Sequence, residues 1–120
     1  MPEELLITEV RSQSIGLQGR CLNSARTHHF VIDDPHYNGG PGEEITPPEA
    51  FLSGISGCAV LLVEKVALEE KLPLKKVEAT IQGIRAPANR ANFKEIRLSF
   101  LITGLDTKQS ESLVERFKAR

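Results

Sequence analysis

The sequence predicts an α+β domain, because two strand-rich segments flank one long helical segment. Polar and apolar residues alternate in parts of the first 34 positions and again between positions 77 and 102. Between these regions, apolar residues recur every three or four positions, as they do on one face of a helix. The predicted order is β-β-(β)-α-β-β-α, which is typical of an α+β fold. We expect residues 1–120 to form a single domain with its own core.

The segment before the long helix is expected to be β structure. Leu5–Val10 predicts a first strand, and Cys21–Asp33 has room for one or two more. Within that second stretch, Phe30 and Ile32 share one face of the strand. A loop rich in proline and glycine follows at residues 34–42, because proline prevents strand pairing and glycine allows positive φ.

The long helix is predicted over residues 48–71. Thr46 is suited to the N-cap position, and Pro73 ends the helix. Gly54 and Gly57 each cost about 1 kcal/mol relative to alanine inside a helix, so we expect another backbone or a ligand to approach there. The residues that share the apolar face are Phe51, Ile55, Cys58, Ala59, Leu62, Val63 and Val66.

Two strands and a second helix are predicted after the long helix. Val77–Gly83 alternates in polarity, and Phe93–Ile102 forms the other strong strand pattern. The final helix is expected from residue 107, capped by Thr107 or Ser110, and we expect it to be incomplete at residue 120. A long apolar helix needs cover on most sides, so we expect a homodimer with these helices at or near the interface.

Composition argues against several classes of partner and compartment. The formal net charge of −1 gives no basic surface for nucleic acid. The longest uninterrupted apolar run, Ala59–Val63, is far shorter than the roughly 20 residues of a membrane span. The acidic start of the chain does not resemble a secretory signal. The two cysteines form no Cys-x-x-Cys pair, so we expect reduced thiols and a cytoplasmic protein.

Cys58 is the residue on which a functional interpretation depends. A cysteine inside an apolar helix is usually a small hydrophobic packing residue, and burial suppresses its reactivity. Here the small residues Gly54, Ser56 and Gly57 surround it and leave room for a molecule to approach the sulfur. From the residues alone, both an inert thiol and a reactive thiol remain open.

The other polar candidates give weaker signals. Cys21 is either a strand residue without chemistry or a second thiol that pairs with Cys58, which requires Cα atoms within about 7 Å. His28 and His29 are consecutive on a strand and point to opposite faces, so at most one of them joins any site. His36 lies in the glycine-rich loop, and the histidines and cysteines show no zinc-ligand spacing. We therefore expect no metal.

The sequence resembles the OsmC/Ohr family over nearly its whole length. That family has a loop of the form (D/E)-x-P-x-x-x-G-G and a helix of the form P-x-E-(L/F)-(L/F)-x-(A/G)-x-x-(A/S)-x-C. The matching segments here are Asp33-Asp34-Pro35, Gly39-Gly40, the helix start from Thr46 to Ala59, and the exit Leu72-Pro73-Leu74 before Val77.

The resemblance implies an OsmC-like fold, in which small antiparallel sheets pack on a long central helix that carries Cys58, within an intertwined homodimer. It also implies a thiol peroxidase for organic hydroperoxides, with active sites at the interface. Cys58 matches the peroxidatic cysteine, which becomes a sulfenic acid. No bound cofactor is implied, because an external dithiol or thiol restores the sulfur.

This sequence departs from the hydroperoxidase branch at three places. The second, resolving cysteine of that branch falls in a Cys-Pro motif beyond Arg120. Its helix-opening glutamate aligns with Pro48, and Glu49 follows one position later, as in the OsmC-like branch. Its activating arginine aligns near Leu17, so Arg20 is the nearest substitute. Glu49 is alternatively a charge at the helix N-terminus, and Arg20 a solvated side chain.

These departures leave two main functions open, and a third, a structural or regulatory protein that senses oxidation through Cys58, requires a partner that the sequence does not name. In the first, Cys58, Arg20 and Glu49 serve a peroxidase in oxidative-stress defence, with Arg20 stabilising the thiolate. In the second, the chain is a non-catalytic dimeric protein of the same fold that binds a small apolar ligand.

Overall fold

The computed structural model describes residues 4–118, and its elements confirm the predicted α+β class. The chain divides into two compact units, which comprise residues 1–50 and 51–120. The first holds one antiparallel sheet, and the second holds a strand pair with a helix after it. A long helix starts at the end of the first unit and supplies the beginning of the second.

The first unit is built on a three-stranded antiparallel sheet. Strands β1 (Arg11–Ser14), β2 (Arg20–Ala25) and β3 (His28–Asp33) lie side by side in chain order. The predicted stretch Cys21–Asp33 therefore contains two strands. They are joined by a tight turn in which Arg26 adopts a positive φ of 56°.

The prediction of a first strand at Leu5–Val10 is wrong. These residues have no regular secondary structure, and the strand begins only at Arg11. The reason is the length of the pairing strand, because the register joins Arg11 to Ser24 and Ser14 to Cys21. β2 continues only one residue past Ser24 before its turn, so it offers little backbone to residues further upstream.

The long helix α1 (Pro47–Glu69) agrees with the predicted 48–71 within two residues. Its start is capped by Thr46, whose Oγ1 accepts a hydrogen bond from the Glu49 backbone N–H at 3.4 Å. Its end is a Schellman motif, in which Leu72 N donates to Ala67 O and Lys71 N donates to Leu68 O. Lys71 takes the left-handed conformation there, with φ of 55°.

The second unit packs α1 against a two-stranded antiparallel sheet and a C-terminal helix. Strands β4 (Lys76–Ile84) and β5 (Glu95–Thr103) match the predicted pair, and α2 spans Thr107–Lys118. The buried core of this unit consists of Val63, Val66, Ala67, Val77 and Leu113.

The N-cap residue of α2 differs from both predicted residues. Gln109 N donates to Asp106 Oδ1 at 2.7 Å, and Asp106 N donates to Gln109 Oε1 at 3.2 Å. These reciprocal bonds form a capping box, so Asp106 is the N-cap instead of Thr107 or Ser110. Aspartate is as good a cap as serine, and only the structure shows which residue faces the free N–H groups.

Several apolar side chains of α1 remain exposed. Among residues 4–118, α1 is the one helix long and apolar enough to cross a membrane by length and composition, a test that the core helix of a soluble protein also passes. The longest uninterrupted apolar run in the sequence is short and does not reveal how apolar the whole helix is. The exposed apolar side chains of the helix are Phe51, Leu61 and Leu68.

Candidate active site

Cys58 lies on an exposed part of α1, at the edge of the helix face that forms the core. Its thiol is free and exposed, whereas the next residue, Ala59, is fully buried. Phe51 and Ile55 precede Cys58 by seven and three positions, so all three fall on one stripe of the helix. The structure therefore places the sulfur outside the core, where a molecule can reach it.

The glycines near Cys58 border open space in the second unit. Within residues 51–118, no heavy atom apart from chain neighbours and the nearby helix backbone lies within 4 Å of a Cβ built at Gly54 or Gly57. The expected close approach of another backbone is therefore not made within this unit. Gly54 precedes Cys58 by one helical turn, so its missing side chain keeps the approach to the sulfur open.

Arg20 lies at the start of β2 and makes a bidentate ion pair with Asp33 at the end of β3. Nε is 2.6 Å from Oδ1 and Nη2 is 2.8 Å from Oδ2. The two residues are paired in the β2–β3 register, which aligns the guanidinium with the carboxylate. The Asp33 side chain is 0% exposed and the Arg20 side chain 21%. Arg20 is therefore held firmly instead of being a solvated side chain.

Asp33 also fastens the loop that leads to α1. Its Oδ2 accepts hydrogen bonds from the backbone N–H groups of Glu43 at 3.1 Å and Glu44 at 3.0 Å. Arg20 Nη2 adds a bond of 3.1 Å to the exposed carboxylate of Glu43. The charges on Arg20 and Asp33 thus organise both the hairpin and the loop.

These bonds shift the pKa values of both partners. The Arg20 guanidinium, with the two loop N–H groups, holds the pKa of Asp33 well below its usual range, although burial opposes this. The hydrogen bond to Asp33 raises the pKa of Arg20, with a further contribution from Glu43. The ion pair is therefore fully charged at neutral pH.

Glu49 forms a capping box with Thr46 at the start of α1. Its Oε1 accepts from Thr46 N at 2.9 Å and from Thr46 Oγ1 at 2.8 Å. The backbone bond, followed by the hydroxyl bond, lowers the pKa of Glu49. Arg20 and Glu49 thus have different partners in the first unit, and the observed contacts of Glu49 are those of a helix-capping residue.

An open groove of about 710 Å³ lies beside Arg20 in the first unit. The turn between β1 and β2 forms one side of it, and Gly19 in this turn has a positive φ of 81°. A Cβ at Gly19 would stand 2.6 Å from Gly40 Cα, so glycine is needed for the turn and the loop to meet. The groove is lined by Gly16, Leu17, Gly19, Arg20, Cys21 and Ile32, among other residues.

Cys21 and His29 have local partners. The thiol of Cys21 is free, and its Sγ lies 3.7 Å from Nδ2 of the buried Asn23. His29 Nδ1 lies 2.7 Å from Ser24 Oγ on the exposed sheet surface. No group of three or more metal-binding side chains occurs among the described residues 4–118. The expected absence of a metal stays a prediction.

Sequence reasoning missed an aromatic residue near the Cys58 stripe. The rings of Phe51 and Phe93 stack with centroids 6.2 Å apart, and the guanidinium carbon of Arg85 lies 5.9 Å from the Phe93 centroid. The available signal was Gly83, because a glycine inside a strand often marks a close approach. A Cβ at Gly83 would overlap the Phe93 ring.

Comparison with known proteins places this chain in a family. The family model described as OsmC-like protein matches residues 40–120, which include Glu49 and Cys58.

The chain belongs to the OsmC-like protein family.

Relatives of this OsmC-like chain agree in sequence and in fold. An organic hydroperoxide resistance protein of Xanthomonas axonopodis pv. citri is 25% identical over 119 residues, which cover 96% of this chain and 82% of the relative. A crystal structure of an OsmC-like protein from Mycoplasma pneumoniae gives a TM-score of 0.81 at 14% identity, over 96% and 82% of the two chains.

A third comparison supports the same fold. An organic hydroperoxide resistance protein OsmC from Legionella pneumophila, described as a predicted redox protein, gives a TM-score of 0.72 at 24% identity. The aligned region covers 98% of this chain and 85% of the Legionella chain. The expected OsmC-like fold is therefore confirmed, whereas the roles of Cys58, Arg20 and Glu49 stay predictions.

Proposed function

We propose that this OsmC-like protein is a thiol-dependent peroxidase that reduces organic hydroperoxides through Cys58 and so contributes to oxidative-stress defence. The observation that carries the proposal is the exposed thiol of Cys58, at the cysteine of the family motif and beside an apolar stripe of α1. Relatives named organic hydroperoxide resistance proteins support the choice of substrate. Apolar neighbours such as Phe51 and Ile55 favour an organic hydroperoxide over hydrogen peroxide.

The reaction begins with the thiolate of Cys58. The sulfur attacks the terminal oxygen of the hydroperoxide, an S–O bond forms, and the O–O bond breaks. The remaining oxygen leaves as an alcohol after it takes a proton, and Cys58 becomes a sulfenic acid. An external dithiol then reduces the sulfenic acid, which releases water and returns the thiol while the dithiol becomes a disulfide.

Arg20 is the cation that we propose for stabilising the thiolate. A guanidinium carries five N–H donors, and the bonds to Asp33 and Glu43 use Nε and Nη2. The two donors on Nη1 therefore face no competitor among the described hydrogen bonds and are suited to a thiolate or a peroxide oxygen. Glu49 is the second residue that we propose for the site, in addition to its contacts as a helix-capping residue.

We also propose that the protein works as a homodimer in the cytoplasm. Leu6 is 98% exposed and Leu5 and Ile7 are also exposed, and α1 adds the exposed side chains of Leu61 and Leu68. Exposed apolar side chains of this kind, in each of the two units, are typical of interfaces. Sedimentation equilibrium is expected to give twice the chain mass, and Leu61→Glu is expected to weaken the association. A monomer at micromolar concentration would contradict this.

The test compares two serine variants. Cumene hydroperoxide consumption is measured with dithiothreitol as the reductant in the wild type, Cys58→Ser and Cys21→Ser. Turnover is expected to vanish in Cys58→Ser and to persist in Cys21→Ser, which is the matched control for loss of a thiol. Trapping with dimedone is expected to label the wild type at Cys58 only. Unchanged turnover in Cys58→Ser would end the peroxidase proposal.

A second candidate is a non-catalytic protein that binds a small apolar ligand. The observation that favours it is that Arg20 forms ion pairs with Asp33 and Glu43 within its own unit. These ion pairs can keep the guanidinium from stabilising a thiolate. This function predicts that Cys58 remains a thiol after hydroperoxide treatment, while apolar ligands still bind to wild type and to Cys58→Ser with equal affinity.

A further inference from the structure

An aromatic cluster lies on the second unit at the start of the Cys58 stripe. It consists of Phe51 on α1, Phe93 in the connection between β4 and β5, and Arg85 in the same connection, and is called the aromatic platform below. The two rings are nearly parallel, with an interplanar angle of 17°. Phe51 remains 57% exposed despite this stack. Part of the platform is therefore available to a ligand.

The connection between β4 and β5 is built to hold Phe93 in place. Gly83 leaves the space that the ring occupies, since any side chain there would overlap it. Lys94 N donates to Ile84 O at 2.6 Å, which closes the connection directly after Phe93. Arg85 Nη1 donates to Arg90 O at 3.3 Å while its guanidinium lies over the Phe93 ring. Three independent features thus fix one aromatic side chain next to Phe51.

The platform is within reach of a molecule that contacts Cys58. Phe51 precedes Cys58 by seven residues, which is about 10 Å of helix rise, and Ile55 lies between them on the same stripe. A molecule that lies along this stripe with one end at the sulfur would cross Ile55 before it reached Phe51. A phenyl group extends several bond lengths further from the peroxide oxygen than a tert-butyl group does, so it is the better suited of the two to span this distance.

We propose that the aromatic platform is the specificity site for the aryl group of the hydroperoxide; this inference rests on the peroxidase function proposed above. A phenyl ring gains offset stacking against Phe51 and Phe93 that a compact alkyl group cannot make. The platform thereby selects aryl-substituted hydroperoxides over small alkyl hydroperoxides. Phe51 and Phe93 contact the substrate, and Arg85 acts by holding Phe93.

The first experiment measures kcat/KM for cumene hydroperoxide and for tert-butyl hydroperoxide in Phe51→Leu and Phe93→Leu. Leucine keeps an apolar side chain and removes only the ring. The preference for cumene hydroperoxide is expected to fall about five- to tenfold, as expected for the loss of one ring contact. Gly83→Ala, which displaces Phe93 while keeping both rings, is expected to lower it as well.

The matched control is Phe117→Leu. Phe117 on α2 belongs to a second aromatic pair with Phe100 on β5, whose centroids are 5.9 Å apart, and neither residue takes part in the stack of Phe51 on Phe93. Phe117→Leu is expected to leave the ratio between the two substrates unchanged. An unchanged ratio in both platform variants, or an equal fall in Phe117→Leu, overturns the proposal.

A binding measurement separates failure of this inference from failure of the peroxidase proposal. The alcohols 2-phenyl-2-propanol and tert-butanol, which are the products of the two reductions, are titrated into Cys58→Ser and followed by ring proton shifts in NMR spectra. The phenyl alcohol is expected to bind more tightly and to shift Phe51 and Phe93 resonances, and Phe93→Leu is expected to remove this preference. If the wild type is inactive but Cys58→Ser still binds the phenyl alcohol more tightly than tert-butanol, only the peroxidase proposal fails. If the wild type is active but the two alcohols bind equally, the platform proposal fails.

Discussion

The buried carboxylate of Asp33 holds the Arg20 guanidinium through two parallel hydrogen bonds of 2.6 and 2.8 Å, across a directly paired position of β2 and β3. The same carboxylate accepts the backbone N–H groups of Glu43 and Glu44. One side chain therefore fixes both the cation that we propose for the thiolate and the loop before α1.

Asp33→Asn is expected to destabilise the protein and to reduce peroxidase activity. Asparagine has one acceptor oxygen, so it cannot satisfy both the guanidinium and the loop, and the Arg20 charge loses its buried partner. We expect the melting temperature to fall by roughly 5–10 °C. Glu43→Gln, which removes only an exposed bond, is the control and is expected to change it by no more than about 2 °C. Equal effects in the two variants would show that burial of Asp33 is unimportant.

The ion pair also predicts how stability depends on pH. The pKa of Asp33 is lowered in the folded state by Arg20, so the unfolded chain takes up its proton at a higher pH, near 4. The stabilising contribution is therefore present above about pH 4 and is lost as the pH falls below it. Urea unfolding between pH 7 and pH 3 is expected to show a steeper loss in the wild type than in Asp33→Asn. Parallel curves would refute this assignment.

The capping box gives a way to separate the structural and chemical roles of Glu49. Thr46→Ala is expected to lower the free energy of unfolding by about 1 kcal/mol, because the cap of α1 is lost. Glu49→Gln retains an oxygen that can accept from Thr46 N, so its stability is expected to change less. If Glu49 acts only as a cap, kcat/KM for cumene hydroperoxide stays within about twofold of the wild type in Glu49→Gln. A loss of tenfold or more without loss of stability would assign it to the active site.

Alanine at the two helix glycines tests whether open space near the sulfur matters. Gly54→Ala and Gly57→Ala are each expected to stabilise the helix by about 1 kcal/mol, because glycine is the weaker helix former. Only position 54 lies one turn before Cys58 on the same face, so only Gly54→Ala is expected to slow the reaction with bulky hydroperoxides. Steady-state kinetics on both variants provides the comparison. Equal rates in the two variants would mean that the peroxide reaches Cys58 from another direction.

Within the described residues 4–118, sequence patterns predicted the helices and four of the five strands because the causes of these elements are local. The apolar spacing of α1, its Thr46 cap and the alternation of β4 and β5 are all determined by residues close together in the chain. The strand predicted at Leu5–Val10 does not form, because strand formation there depends on residues far away in the chain. Its residues have strand-like composition, but a strand also needs a paired backbone, and composition does not show where that partner ends.

The candidate site was predicted only in part, because its contacts join distant positions. The thiol of Cys58 and its family motif are visible in sequence, but its exposure is not, since an apolar segment suggests burial. The pairing of Arg20 with Asp33 spans 13 positions and depends on the β2–β3 register. The stack of Phe51 on Phe93 joins a helix to the connection between two strands. In the sequence, Gly83 was the one signal that indicated a close approach there.

The topology of the two sheets also bears on how the chain folds. In both sheets every paired strand is the sequence neighbour of its partner, so only short loops must close before the hairpins form. The chain is therefore expected to fold quickly, on the timescale of proteins dominated by local contacts. If the proposed homodimer forms, the slow phase in stopped-flow refolding is expected to depend on protein concentration, because local chain closure cannot accelerate the encounter of two copies.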